Sequence, residues 1–298
     1  MLRKLLILTL FIAILISYTS VAPTASFIEA SYTRSETHVA QYPSTGTVPD
    51  TTLTLPPRAM GDLKLTILID NTAYRSELKS EWGFATLVEY GGHMVLFDTG
   101  ASGFNLLGNM RQLGVDLRSI EAVILSHEHN DHTNGLEALL KTGVRPTVYV
   151  PSTFTNTLKE RVRDKTKLIE VVGALEILPG VHITRPIGSF VVEQALVVET
   201  RDGTVVITGC AHPGVVEIVR QAQEVVKGKI SLLVGGFHLL HHSKNQLLPI
   251  IAELRQLGVQ KILPTHCTGD EAIALFHTDY GEYYVEGGVG RTVIFSTK

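Results

Sequence analysis

The sequence lacks the excess of Lys and Arg that usually accompanies electrostatic binding to nucleic acid. Its 298 residues contain 26 Lys and Arg against 29 Asp and Glu, which gives a formal net charge of -3 at pH 7. We therefore expect a small molecule, and no nucleic acid, as the partner. The hydrophobic fraction of 44% is high enough for the chain to bury a full core.

The N-terminal apolar run, residues 5–16, is shorter than the ~20 residues that a membrane-spanning helix usually needs. Arg3 and Lys4 precede this run and small residues follow it, which is typical of an export signal. The alternative is an uncleaved anchor that extends through Val21. Under either interpretation of residues 1–30 the following domain is exported, and is secreted or tethered to the outer face of the cytoplasmic membrane. The membrane is a partner only through such an anchor.

Cysteine is absent from the first 60 residues, which excludes a lipid-modified N-terminal cysteine in this chain. Residues 31–60 are rich in Ser, Thr and Pro, so they predict a flexible linker ahead of one domain at 61–298. In an exported protein the only two cysteines, Cys210 and Cys267, would ordinarily form a disulfide. Each lies beside a histidine, however, and this pattern favours a place among metal ligands.

Short β-rich runs alternate with helical patterns from Asp62 onward, which predicts an α/β fold. Residues 95–100 resemble residues 205–210, and both are strands that end in a turn. Two such halves packed sheet to sheet, with helices outside, would bring the strand-end loops of both halves to one edge. The predicted strands are 63–69, 84–89, 93–97, 122–125, 147–150, 190–199, 204–208, 230–234 and 261–263, and the predicted helices are 104–113, 136–140, 215–226, 246–257 and 270–276.

Three imidazoles and a carboxylate fall within six residues, directly after the apolar strand that ends at Leu125. His127 and His129, in an extended loop, can point toward one cation, while Asp131 and His132 at a following helix start can turn toward a second. Imidazole and carboxylate suit zinc and also iron or manganese. The alternative is a surface histidine cluster with Asp131 as a helix cap. The density of titratable groups after a buried strand favours a metal centre.

Two ions bound by this run alone would be undercoordinated, so further ligands are expected at later strand ends. The sequence supplies His212, His238 and His266, each after an apolar run and among Gly or Pro residues. Any one of them alone would be better explained as a loop histidine that caps a helix, but their joint recurrence favours a shared site. The other histidines, at positions 38, 93, 182, 241, 242 and 277, are predicted to be structural or solvated.

Together these motifs resemble the metallo-β-lactamase superfamily, and within it the branch of dihydropterin synthase-like proteins. The resemblance covers about residues 63–297 and rests, in order, on segments 68–71, 81–84, 96–100, 127–132, 209–212, 235–239 and 264–269. It implies a four-layer αββα sandwich. It also implies two divalent ions, zinc before iron or manganese, the first held by His127, His129 and His212 and the second by Asp131, His132 and His266.

Cys210 departs from the family pattern, because ordinary members have at this place a carboxylate that bridges both ions. Either its thiolate contacts the metals, or the second metal site is weaker, or His212 rearranges to compensate. Asp98 resembles the carboxylate that hydrogen-bonds a ligand histidine and sets its tautomer. Trp82 and Asn134 also depart from the branch and are predicted to alter the substrate side.

The resemblance implies a metal-dependent hydrolase of a small ester, lactone, thioester or phosphoester, acting through a metal-bound hydroxide. Asp131 would orient that hydroxide, and His238 would donate a proton or contact a substrate phosphate, unless it is structural. The branch implies instead the formation of a pterin-linked aminobenzene ribofuranosyl phosphate. Since an export signal disagrees with that role, hydrolysis is the preferred prediction. A di-iron redox or sensing module, which Cys210 favours, and a binding protein without activity are the remaining hypotheses.

Overall fold

The computed structural model describes residues 61–295, so the predicted export segment and linker lie outside the described residues. Within residues 61–295, no helix is both long enough and apolar enough to cross a membrane. The strands are β1 (Leu63–Ile69), β2 (Ala85–Tyr90), β3 (His93–Phe97), β4 (Ile120–Ile124), β5 (Thr147–Pro151), β6 (Leu168–Val171), β7 (Leu175–Leu178), β8 (Val181–Ile183), β9 (Leu196–Thr200), β10 (Gly203–Thr208), β11 (Ile230–Gly236), β12 (Val259–Thr265) and β13 (Thr292–Phe295).

The helices are α1 (Gly103–Gln112), α2 (Asn130–Thr133), α3 (Gly135–Lys141), α4 (Asn156–Arg163), α5 (Val215–Val225), α6 (Lys244–Gln256) and α7 (Asp270–Tyr280). Most of them begin or end at recognisable signals. Ser102 caps α1 by accepting a hydrogen bond from the amide of Asn105, and Ser243 and Gln246 form a capping box at the start of α6.

The strands form two mixed sheets, in the orders β13-β1-β2-β3-β4-β5-β6 and β12-β11-β10-β9-β8-β7. Strands β3 to β6 of the first sheet run parallel to one another, as do β10 to β12 of the second. The carboxyl ends of neighbouring parallel strands meet at one edge of a sheet. Loops that follow β3 and β4, and those that follow β10, β11 and β12, are therefore held next to one another within each sheet.

Along the central strands, successive side chains point alternately into the core between the two sheets and toward the helices outside, which gives the domain its layers. Val95 and Phe97 of β3 belong to the core between the sheets, together with Val205 and Ile207 of β10. The intervening Leu96 packs with α1 and α3 on the outer face of the first sheet. Residues of α5, α6 and α7 cover the outer face of the second sheet in the same way. This arrangement is the four-layer αββα sandwich that the sequence predicts.

The predicted elements agree with the structure except in the stretch before β9. The predicted strand 190–199 is wrong at its start, because β9 begins only at Leu196. Residues 189–191 instead form a bend, and Glu193, which pairs with Ile187 in an isolated β-bridge, is fully buried. No element was predicted for β6, β7, β8, α4 or β13, which are short and only partly buried.

Candidate metal centre

The first group of donor side chains follows β4 directly. Residues 127–128 form a bend, His129 is extended and occupies the N-cap position of α2, and Asp131 and His132 lie in the first turn of that helix. The predicted helix start is therefore confirmed. His127 and His132 are fully buried, whereas the side chain of Asp131 is 22% exposed.

The second group comes from the loops after three neighbouring strands of the other sheet. Cys210 and His212 follow β10, His238 follows β11, and His266 follows β12. These loops meet the first group at Gly209, where an added Cβ would lie 2.1 Å from the hydroxyl oxygen of Ser126. Glycine thus permits the two halves to touch.

Donor atoms of the two halves converge in two clusters. In one, His127 Nε2 lies 3.3 Å from His212 Nε2, and the ring of His129 has its centroid 4.6 Å from that of His127 and 4.8 Å from that of His212. In the other, His132 Nε2 lies 3.3 Å from His266 Nε2, and Asp131 Oδ2 lies 3.3 Å from the same atom of His266. The two sets match the two groups that the sequence predicts.

Cys210 lies between these clusters. Its Sγ is 3.2 Å from His132 Nε2. It also forms a possible metal-binding group with His127 and His212, and another with His132 and His266, in each of which the donor atoms lie within 4.8 Å of one another. The thiol therefore lies between the two clusters, where the family resemblance places a carboxylate that bridges both ions. Ligation itself stays a prediction.

Asp98 orients two of the imidazoles. Its Oδ2 accepts from the Ser126 hydroxyl and from His132 Nδ1, both at 2.7 Å, and its Oδ1 accepts from the Ser126 amide. Since the Ser126 hydroxyl donates to Asp98, its oxygen accepts from His127 Nδ1 at 2.9 Å. Both rings are therefore protonated at Nδ1 and present the lone pair of Nε2 to the centre. The contact predicted for Asp98 is present.

Asn71 fixes the ring of His266 in the same way. Its amide nitrogen donates to the His266 carbonyl at 2.9 Å, so that its Oδ1 faces His266 Nδ1 at 3.0 Å and accepts a proton from it. The Nε2 atoms of His132 and His266 consequently face each other across 3.3 Å. A cation between them would accept a lone pair from each neutral ring, so the residues fit a divalent metal ion.

Burial supports this role for two of the histidines. Desolvation, followed by the proximity of His132, holds the pKa of His127 well below its ordinary value. Desolvation and the neighbouring His238 lower the pKa of His212 to about 3. Both imidazoles are neutral near pH 7, and neutral imidazole is the form that binds metals.

A buried carboxylate that the motifs do not include organises the loop after β10. Glu193 accepts hydrogen bonds from the amides of Gly209, Cys210, Ala211 and His212 and from the hydroxyl of Thr208. Burial raises the pKa of Glu193, and the backbone N–H donors oppose that rise. Asp70 similarly accepts the amide of His266 at 2.9 Å. No sequence signal marks either residue as part of the site, although Asp70 lies in one of the matched segments.

His238 lies at the mouth of the centre. It is exposed, and its ring centroid is 4.2 Å from that of His212. Both histidines line a cavity of about 650 Å³ that also includes Arg185 and Phe190. Trp82 packs edge-on against His266 with ring centroids 4.9 Å apart, so one of the two predicted departures from the branch borders the centre. The roles predicted for Asp131 and His238 in catalysis stay predictions.

The chain matches known proteins over almost the whole described region. Residues 83–266 match the family described as the metallo-beta-lactamase superfamily. The chain is 27% identical to the 7,8-dihydropterin-6-methyl-4-(beta-D-ribofuranosyl)-aminobenzene-5'-phosphate synthase of Methanocaldococcus jannaschii, over 77% of this chain and 95% of that protein.

Two solved structures have a similar fold. One is a metal-dependent hydrolase of the beta-lactamase superfamily, 29% identical, with a TM-score of 0.67 over 78% of this chain and 99% of the other. The second is the metallo-beta-lactamase fold protein YhfI from Bacillus subtilis, 18% identical, with a TM-score of 0.60 over 79% of this chain and all of the other. The second likeness supports the fold alone.

Proposed function

This chain belongs to the metallo-β-lactamase superfamily, and from that premise we propose that it is a two-metal enzyme that condenses a dihydropterin with a phosphorylated aminobenzene. The observation that carries the proposal is the match to the archaeal synthase, which extends over 95% of that protein's length. This match favours the condensation, which was the alternative in the sequence analysis, over hydrolysis, which was preferred there. The export segment that argued for hydrolysis lies outside the described residues.

We assign the metals to the two clusters of donor atoms, with zinc as the expected ion. When bound, the ions would supply Lewis acidity toward an anionic leaving group. The first ion would be held by His127, His129 and His212, the second by Asp131, His132 and His266, and Cys210 would contact both. The inward direction of Nε2 in His127, His132 and His266 is the feature of this chain that supports the assignment.

In the proposed condensation, the methylene carbon of the pterin forms a bond to the aromatic amine nitrogen. The bond from that carbon to a phosphate-type leaving group breaks, with the electron pair going to the leaving oxygen, and the amine loses one proton. Asp131, whose carboxylate is 22% exposed, is the residue that we assign to orient the attacking group. Water in place of the amine would convert the same site into a hydrolase.

The side chains that line the cavity beside the centre suit an aromatic, anionic substrate. Phe190 is fully exposed at its wall and offers a planar face to a pterin or aminobenzene ring. Arg185 adds a positive charge at the same wall, which suits a phosphate group. A ring stacked on Phe190 would lie beside His212 and His238.

The test is to incubate the zinc-loaded or manganese-loaded protein with a dihydropterin that carries an activated methylene group and with an aminobenzene ribofuranosyl phosphate. Mass spectrometry should detect the joined product, and Asp131→Asn should lower its rate of formation by about 100-fold or more. His241→Ala, which changes an exposed histidine outside both clusters, is the matched control. Turnover of aryl phosphoesters, lactones or thioesters without any joined product would overturn the proposal.

Phe190→Ala sharpens the substrate assignment. Loss of one aromatic contact should raise KM for the aromatic substrate by about 2- to 13-fold, which corresponds to ~0.5–1.5 kcal/mol, with kcat little changed. Phe104 is also exposed but lies on α1 and does not line the cavity, so Phe104→Ala is the control. Equal KM values for the two variants would place the substrate elsewhere.

Hydrolysis is the second candidate. The solved structure that is 29% identical to this chain is a metal-dependent hydrolase, and its match covers 78% of this chain. The same substrate panel separates the two candidates, since only the nature of the nucleophile differs.

A further inference from the structure

A third group of donors adjoins the two histidine clusters and shares Cys210 with them. Cys210 Sγ, Cys267 Sγ and a ring nitrogen of His238 are all within 4.8 Å of one another. Both sulfurs are buried and the two cysteines are free thiols, so the disulfide expected by default in an exported protein is not formed. Cys267 has no role in the centre described above.

Each of these donors lies in the loop after one of three neighbouring parallel strands. Cys210 follows β10, His238 follows β11 and Cys267 follows β12, and β11 is hydrogen-bonded to both of the other strands. The relative positions of the three donors are therefore fixed by the central part of the sheet. Rigid placement of this kind is what a metal site requires.

Backbone strain coincides with each donor. His238 has a φ of 53°, Ala211 beside Cys210 has a φ of 56°, and His266 beside Cys267 has a φ of 48°. Residues with a side chain rarely adopt this left-handed conformation, and each instance costs about 1–3 kcal/mol. The left-handed conformation thus recurs at the donor or beside it in all three loops.

Gly236 makes room for one of the sulfurs. A Cβ at this position would lie 2.7 Å from Cys267 Sγ and 2.6 Å from the carbonyl oxygen of Gly209. Any larger residue would push the thiol away from Cys210. Cys267 Sγ lies 3.7 Å from the Cys210 carbonyl oxygen, and it is also within hydrogen-bonding reach of the Cys210 thiol and the His238 ring, so the three donor groups already contact one another.

We propose that Cys210, Cys267 and His238 form an additional cation site that takes a soft divalent ion such as zinc or cadmium. Two sulfurs and one imidazole nitrogen are the donors that such ions prefer. Cys210 is shared with the histidine clusters, so its thiolate joins the additional ion to the centre. The assignment makes His238 a metal ligand, in place of the proton donor that the sequence predicts. It goes beyond the proposed function, because it holds for any substrate.

Cobalt(II) loading of the full chain tests the site without reference to activity. We expect the unaltered protein to bind one equivalent of cobalt more than Cys267→Ser or His238→Ala, measured by elemental analysis after gel filtration. Thiolate-to-cobalt absorption should fall to about half in Cys267→Ser, because one of the two sulfur ligands is lost. His241→Ala, which lies three residues from His238 and is exposed, should match the unaltered protein in both measurements.

Two results would overturn the site. Unchanged cobalt content and absorption in Cys267→Ser and His238→Ala would show that neither residue is a ligand. Halved absorption with unchanged cobalt content would show that Cys267 binds an ion of the histidine clusters and that no additional ion exists. Because His238 is exposed, His238→Ala keeps the test decisive if Cys267→Ser fails to fold. Neither result depends on whether a condensation product forms, so failure here is distinguishable from failure of the proposed function.

Discussion

The two halves of the domain deliver donor side chains to one edge by different means. The first half uses a single stretch, His127 to His132, directly after one strand. The second half uses three separate loops, after β10, β11 and β12. A contiguous stretch needs only one strand to position it, whereas three loops each need an anchor of their own.

The anchors differ in what they hold. In the first half, Asp98 binds the imidazole of His132 and, through Ser126, that of His127. For the donors of the second half, Glu193 and Asp70 bind backbone amides and form no hydrogen bond to the rings, and the ring of His266 is held by Asn71. A buried carboxylate can therefore set the position of a metal ligand without touching its side chain. Substituting the ring-binding carboxylate and the amide-binding carboxylates in turn should distinguish the effect of ring orientation from the effect of loop position.

The largest effect is expected from Glu193→Ala. The substitution removes the acceptor for four backbone amides and one hydroxyl in a fully buried place, so the free energy of unfolding should fall by about 3 kcal/mol or more. Urea denaturation measures the loss. Glu121 is exposed on β4, and Glu121→Ala should change stability by less than about 0.5 kcal/mol. A similar small change in both variants would mean that the loop after β10 needs no anchor.

Asp98→Asn should have the next largest effect, on metal affinity rather than on folding. An asparagine offers one acceptor oxygen where Asp98 offers two, so its NH2 group must face either the Ser126 amide or the pair formed by the Ser126 hydroxyl and His132 Nδ1. The three hydrogen bonds cannot all be kept, and the hold on the two rings weakens. Zinc affinity, measured by competition with a chelator, should fall by about 10- to 100-fold. Asp98 has a φ of 57°, which asparagine tolerates, so the backbone is undisturbed. The exposed Asp116→Asn is the control, and equal affinity in both variants would exclude tautomer control by Asp98.

The contrast between the halves also explains what could be predicted from the sequence. The stretch from His127 to His132 is recognisable because all its donors are neighbours in the chain. The alternation of apolar and turn residues predicts both halves and the sandwich. Glu193 and Asp70 escape such reasoning because neither adjoins its partners in the chain. The partners of Glu193 lie 15 to 19 residues away, and Asp70 and His266 are 196 residues apart. Only the fold brings them together.

The bend before β9 is the clearest failure of pattern recognition. Val191 and Val192 are apolar residues ahead of β9. The pattern of apolar residues alone therefore predicts that the strand includes them. The structure breaks the strand there, because Glu193 must turn inward to reach the amides after β10. Long-range polar satisfaction overrides local β propensity at this point.

Asp70→Asn should have the smallest effect on zinc affinity. It distinguishes the role of Asp70 in positioning the loop from the effect of its negative charge. One oxygen of Asp70, Oδ1, accepts both the amide of His266 at 2.9 Å and that of Asn71 at 2.8 Å. Asparagine keeps an oxygen that can accept both amides, and burial raises the pKa of Asp70 to about 6, so a neutral side chain suits the site. Zinc affinity should change by less than about threefold, or ~0.7 kcal/mol, while Asp70→Ala should weaken it further. If Asp70→Asn were as damaging as Asp98→Asn, the charge of Asp70 would act on the bound metal, and the distinction between ring anchors and backbone anchors would fail.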